Sequence, residues 1–364
     1  MGPDVDPTHR LRKPAPDVLQ GTSCGVRSWK PIDRKSNMII QRRAVIGAIL
    51  ASLGGGAAAR ASSWSPSRPI RIVVSSAPAA SLDTLVRILA PALTTRLGQT
   101  VLVENQGGAN GLLAMQQVAR VEPDGHTLLL TGDAIVLAEL AAPNAGFTVQ
   151  GSFTPVTQAV RAAQILATHP GSGFNDIQGY LAAVRNRPGK LNIGLPAWGG
   201  IAHVVHELLA QATGGLPVEY ITYRGGGPAV SDLLARNLDA LVITLPAITE
   251  QVRQGAIVPL AVTTTVRDPA LPEVPTLGET VAPGFDVESW QGFLIPKGAP
   301  PAIVAALHEA IATALLNPAI AERLTGLGFT VIADGPEVVA RRTSESTQRF
   351  SGVVRAAGIR QTGG

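Results

Sequence analysis

The chain has 364 residues, 45% hydrophobic and 15% charged, which suits about two domains and is too apolar for a disordered protein. Its net charge of +4 is unevenly placed: residues 1–61 carry 10 Lys+Arg against 4 Asp+Glu, and residues 62–364 carry 20 against 22. A body at net −2 with no Lys/Arg run has no electrostatic footprint for nucleic acid, so the basic character belongs to the leader.

In chain order, the first feature is an apolar, Ala- and Gly-rich run at 44–59, preceded by Arg42-Arg43 and followed by Ala59-Arg60-Ala61. A positive region, a short apolar region and a small-x-small site read as a secretory signal, too short to cross a bilayer. The reading is a signal peptide over 38–61, cut after Ala61, with translation starting at Met38 and residues 1–37 an upstream, non-native extension. Arg42-Arg43 is a poor match to a twin-arginine signal. The single cysteine, Cys24, lies in that extension. The mature chain then forms no disulfide and no thiolate metal site.

The body alternates strands and helices. Ile70–Val74 is a β-branched run. Leu82, Leu85, Val86, Leu89, Leu93 and Leu97 follow at helical spacing, and Gly98 stops that helix. Strands are expected at 101–103, 127–130, 165–168, 191–194, 218–221, 240–243, 260–262 and 293–295. Helices are expected at 112–121, 177–185, 202–212, 228–234, 248–254 and 301–316, with two further pieces at 320–327 and 336–357. Strands alternating with helices predict an α/β fold with a mostly parallel sheet. About 300 such residues divide into two lobes. No internal repeat is visible.

Enzyme signatures are mostly missing. There is no G-x-S-x-G elbow, no phosphate-binding P-loop and no G-x-G-x-x-G. His203, His206 and Glu207 share a helical face, which could suit a metal. Their spacing is not H-E-x-x-H and no fourth ligand is evident, so the expectation is no metal, no cofactor and no catalytic residue. Three strand-to-helix junctions stand out instead: Ser75–Asp83, Leu195–His203 and Tyr223–Pro228. Each aims free backbone N–H groups and the positive end of a helix beyond the strand, a ready anion site. With no reactive group nearby, they predict capture of an anion, not its conversion.

At these segments the chain resembles the Bug-type solute receptors of tripartite tricarboxylate transporters, from about Pro66 to Ile359. The residues that carry the resemblance include Pro69-Ile70-Arg71-Ile72-Val73-Val74, Pro123-Asp124-Gly125-His126-Thr127-Leu128-Leu129, Arg187-Pro188-Gly189-Lys190-Leu191-Asn192, and Tyr223-Arg224-Gly225-Gly226. The strongest is Pro269-Ala270-Leu271-Pro272-Glu273-Val274-Pro275-Thr276 with Ser289-Trp290 after it. The resemblance implies a two-lobed periplasmic-binding-protein-like fold of type II with two crossover strands. Lobe 1 would be 62–165 with 290–364, and lobe 2 would be 166–289. It implies a monomeric periplasmic receptor that closes on a small organic carboxylate. Its partner would be the membrane subunits of a transporter or, alternatively, a sensor kinase.

Mapped by the resemblance, the first grip is Ser76, Ala77, Pro78, Ala79, Ala80, Ser81 and Asp83, joined by Thr131, Gly132 and Asp133. The opposing grip is Ala197, Trp198, Gly199, Gly200 and His203, with Tyr223, Gly225, Gly226 and Pro246. The family turn usually reads Pro-Phe-x-Pro-Gly-Gly-x-x-Asp; here Ser75-Ser76 and Ala79-Ala80 replace the Pro-Phe and the glycines. Alanine resists positive φ and close backbone approach, which predicts a narrower or reshaped pocket. Trp198 either stacks on an aromatic ligand or packs between the lobes. Asp83 either caps the next helix or binds a ligand ammonium or water. Asp133 either opposes a dianion or prefers an amine.

Overall fold

The structure, a computed structural model, describes residues 64–360. The leader and the segment ahead of it therefore lie outside the described residues. In chain order the elements are β1 (Ile70–Val74), α1 (Ser81–Leu97), β2 (Val101–Asn105), α2 (Leu112–Val118), β3 (Thr127–Gly132), α3 (Asp133–Ala141) and β4 (Phe153–Thr168). The second stretch holds α4 (Ile177–Asn186), β5 (Asn192–Leu195), α5 (Ile201–Thr213), β6 (Glu219–Thr222), α6 (Gly226–Leu234), β7 (Ala240–Thr244) and β8 (Val258–Val262). The chain closes with β9 (Glu288–Pro296), α7 (Pro301–Leu315), α8 (Pro318–Gly326), β10 (Phe329–Asp334) and α9 (Pro336–Ala356).

The ten strands among the described residues join in one sheet: eight follow the order β2-β1-β3-β9-β4-β7-β5-β6, and β8 and β10 also pair with β4. The sheet is mixed where the pattern predicted mostly parallel. Pairs β1–β2, β1–β3, β5–β6 and β5–β7 are parallel, and every pair made by β4 or β9 is antiparallel. The alternating units could only show the parallel part, because β9 comes from far along the chain to lie antiparallel between β3 and β4, a pairing no local pattern marks.

Each half repeats one topology. In the first, β1-α1-β2-α2-β3 gives the order 2-1-3; in the second, β5-α5-β6-α6-β7 gives the same order. The repeat lives in chain path and not in residue identity. Strand periodicity explains the cores. Ile70, Ile72 and Val74 of β1 face one cluster with Leu85, Val86 and Leu89 of α1 and Ile303 and Leu307 of α7. Val73 faces the opposite cluster, with Met115 and Val118 of α2 and Ile135 and Val136 of α3. Helices on both faces bury most of this strand, so β1 is apolar except for the half-buried Arg71, which pairs with Glu104 of β2.

The 16-residue β4 links the halves. Val156, Val160 and Ala162 belong to the first core, whereas Ala163, Ile165 and Ala167 belong to a core under α6. The sequence pattern shows only its last four residues as a strand. The earlier part holds Pro155, Thr157, Gln158, Arg161 and Gln164, and its register shifts between Pro155 and Thr157 and again between Gln158 and Val160. Bulges of that kind erase a period-two signal. A fifth apolar cluster joins Leu137 of α3, Val204 of α5 and Phe350, Val353 and Val354 of α9. Among the described residues no single helix is long and apolar enough to cross a membrane.

Candidate functional site

In both halves the turns beyond the carboxyl ends of the parallel strands open helices, as in other open α/β sheets. Five of these helices start without a side-chain cap. Ala80 precedes α1, Gly111 precedes α2, Gly132 precedes α3, Gly200 precedes α5 and Gly225 precedes α6. Away from these turns, Asp176 caps α4 and Asn317 caps α8. Helices α7 and α9 are uncapped but begin with proline, which has no N–H to satisfy. No side chain takes the first-turn amides of these five helices, although at α2 the Leu112 N–H is already given to Ala109 O.

All five starts border one cavity of about 1100 Å³. Ser76, Ala77, Ala80 and Ser81 line it from the β1 turn, and Gly132 and Asp133 from the end of β3. Ala197, Trp198, Tyr223, Gly225 and Gly226 line it from the second half. Pro78, Ala79, Asp83, Thr131, Gly199, Gly200, His203 and Pro246 stand outside the lining. Several of them hold the turns in place.

Ala79 sits at φ 62, the left-handed region that the alanine was expected to resist. Its N–H donates to Asp83 Oδ2 at 2.9 Å. Asp83 Oδ1 accepts from Arg87 Nε at 2.8 Å. Burial pushes the Asp83 carboxyl up, but the bonds from Arg87, Ala79 and Asn105 outweigh it and hold it below the usual aspartate range. Asp83 therefore fastens the turn. Thr131 accepts from Ser75 Oγ at 2.9 Å and ties β3 to the same turn.

His203 lies beneath the β5 turn and is buried. Its Nδ1 accepts from the N–H of Gly199 at 3.2 Å, and its Nε2 lies 3.7 Å from Glu207 Oε1. The Trp198 ring rests on His203 with centroids 4.3 Å apart, yet Trp198 stays 40% exposed and lines the cavity. One face of the indole is occupied and the rest borders the cavity. His206 Nε2 meets Tyr180 Oη at 2.6 Å, and its Nδ1 meets Tyr220 Oη at 2.7 Å. Tyr220 Oη donates to Glu207 at 2.8 Å. Burial pushes the His206 imidazole down to about 4. With both ring nitrogens taken, His206 has no lone pair left for a metal. Among the described residues no group of three or more His, Cys, Asp or Glu is placed to hold one.

Asp133 is buried at the start of α3. Its Oδ2 accepts from Ser289 Oγ and from the N–H of Trp290, both at 3.0 Å, and its Oδ1 accepts from Ser346 Oγ at 3.3 Å. Burial raises this carboxyl to about 6 against those bonds. The two halves meet across the cavity mouth: Asn110 Nδ2 donates to Gly199 O at 3.5 Å, and Gly225 lies against Ala77. A Cβ on Gly225 would stand 2.5 Å from Ala77 Cβ.

Among the parts of the lining that sequence reasoning missed, two stand out. One is the Gly107–Gly111 loop with Asn110; the other is Ser289, Trp290 and Gln291 on β9. The uncapped Gly111 ahead of α2 was a usable signal for the first. Nothing local marks the second, because β9 reaches the cavity only through its antiparallel pairing with β3.

Residues 85–359 match the model of the tripartite tricarboxylate transporter family receptor. Protein BugT of Bordetella pertussis is 33% identical over 319 residues, covering 87% of this chain and 97% of that protein. The structure of periplasmic binding protein BugD superposes with a TM-score of 0.78 at 30% identity, covering 82% of this chain and all of BugD. Rhodopseudomonas palustris MatC, solved with bound malate, gives a TM-score of 0.75 at 29% identity over 79% of this chain and 99% of its own. The R. palustris protein Rpa4515, solved with adipate, gives 0.78 at 29% identity over 81% and 99%.

Proposed function

The chain belongs to the tripartite tricarboxylate transporter receptor family, and from that premise we propose that it captures a small organic carboxylate in the cavity at the five uncapped helix starts. It is a solute-binding receptor, not an enzyme, and the proteins it resembles are periplasmic binding proteins. One observation carries the carboxylate reading. Five helix N-termini, without cap side chains, border a single cavity of about 1100 Å³. Such ends attract negative charge and supply N–H donors without a titrating side chain. The malate and adipate held by structures of this fold support the same ligand class.

In this reading residues 62–165 with 290–364 form one lobe and 166–289 the other, hinged on β4 and β9. The turn from Ser76 to Ser81 and the turns at Ala197, Trp198, Gly225 and Gly226 contact the ligand. Asp83, Thr131, Gly199, Gly200 and His203 hold those turns. Ligand touching both lobes shifts the population toward the closed form. The closed monomer docks on the transporter's membrane subunits after export with cleavage behind Ala61. Calorimetric titration with malate, adipate, citrate and cinnamate, followed by solution scattering at saturation, tests the proposal. Binding of at least one with a smaller radius of gyration is expected; no binding by any of them would refute it. Pull-down from membranes with loaded receptor would show a transporter subunit; recovery of a sensor kinase instead would change the partner and leave the capture.

A further inference from the structure

We propose that the cavity ends, away from Asp133, in a subsite for an aromatic ring, so that the ligand is an aryl carboxylate with its carboxylate at the β1 turn and its ring against Trp198. The inference rests on the carboxylate reading above and names the body of the ligand. The length of the cavity follows from α3, whose two ends both line its wall. Asp133 and Ala134 stand at one end, and Ala141 and Ala142 at the other. Ala141 lies eight residues beyond Asp133, about 12 Å along the helix axis. The volume of about 1100 Å³ is large for a pocket, since drug-sized ligands usually occupy roughly 300–1,000 Å³. A carboxylate held at the turn from Ser76 to Ser81 and at Gly132 therefore leaves room for a body beyond it.

The far end is apolar and drawn from both halves. Leu113 of α2 is 57% exposed and Trp198 of the β5 turn 40% exposed, and both line the cavity. Leu112 and Ile201, the first residues of α2 and α5, line it as well. Two contacts bring these elements together. Asn110, just ahead of α2, donates to Gly199 O at 3.5 Å, and Ile201 packs against the cluster that holds Leu137 and Ala141 of α3. Large apolar side chains left open in one concave site mark a place that takes an apolar group. The indole decides for a ring. One face of Trp198 rests on His203 at 4.3 Å, and His203 in turn meets Tyr220 edge-on at 4.7 Å. His203 is buried and tied to Gly199, so the stack holds the indole as a fixed plate at the cavity wall. A flat face held in place favours a flat partner, because aromatic pairs gain attraction beyond the area they bury. Charge agrees. Of the charged lining residues, Asp133 lies at the other end of α3, and Arg224 and Arg360 are exposed, so no acid of the lining faces the ring.

Calorimetric titration of the full-length mature protein with cinnamate, hexanoate, adipate and malate tests this. Cinnamate should bind about tenfold more tightly than hexanoate, which carries the same charge without a ring, and more tightly than either diacid. Trp198→Ala should lower the ratio of cinnamate to hexanoate affinity about tenfold. Leu113→Ala, at an exposed position on the opposite half, should lower it about threefold. Hexanoate, adipate or malate binding as tightly as cinnamate would overturn the ring subsite and leave carboxylate capture standing. So would an unchanged ratio in Trp198→Ala, the result expected if the indole only seals the cleft. Binding of none of the four acids would remove the parent reading and the subsite with it.

Discussion

Alanine in place of Gly225 should wedge the halves of the receptor apart. Gly225 sits at φ 131 and ψ 175, a region open essentially to glycine alone. Its substitution strains every form of the protein by about 1–3 kcal/mol. A second cost falls only on the closed form. The new Cβ would stand 2.5 Å from Ala77 Cβ, where carbon atoms rest about 3.5–4.0 Å apart. More than an ångström of separation must come from the cleft, an overpacking cost of about 1–3 kcal/mol. That converts to roughly 5- to 150-fold in Kd. Removing the opposing methyl separates the two costs. In Ala77→Gly/Gly225→Ala the next atoms of residue 77 lie 3.6 Å away, an ordinary contact. The double variant should regain most of the lost affinity while keeping the lowered Tm, as a cycle between touching residues allows. Calorimetric titration and thermal melts on the four proteins measure both quantities. Unchanged affinity in Gly225→Ala, or no recovery in the double variant, would refute the closed contact as part of ligand capture.

Three further outcomes follow from the same geometry. Ala79→Gly relieves a left-handed alanine at φ 62, so denaturant unfolding should show a gain of about 1 kcal/mol; a loss would contradict the strain. Asp133 holds its proton more tightly folded than unfolded, so its contribution to stability declines as pH rises from 3.8 through about 6. The stability difference between wild type and Asp133→Asn should therefore change across that window, and a flat difference would contradict it. His206 is neutral when folded, so its contribution is complete above pH 6.5 and is lost as pH falls toward about 4. Its ring resonances should titrate near pH 4, and a midpoint near 6.5 would show that burial between Tyr180 and Tyr220 fails to hold it neutral.

Local periodicity made much of this molecule readable. Leu82, Leu85, Val86 and Leu89 mark one face of α1, and Gly98 ends it at φ 65. Helix α3 escaped notice because Ala134-Ile135-Val136-Leu137-Ala138 is apolar on all sides, and a helix buried all round shows no stripe. Strand β10 escaped because Phe329–Asp334 is short and only Phe329 is buried on it. The cleft residues divide in the same way. Turns following a strand could be read where they stand, as at Ala77 and Gly225. Ser289, Trp290 and Gln291 could not, since their place depends on pairing with β3 more than 150 residues earlier. Asp83 and His203 carried the right chemistry in sequence, but only the fold shows both spent on backbone N–H groups behind the lining.

Mass spectrometry of the small molecule released from the mature protein, purified natively from the cell envelope, tests the account most directly. One unmodified organic acid in near-stoichiometric amount is the predicted result. A non-acidic compound at that stoichiometry, or an acid recovered together with its own reaction product, would contradict it.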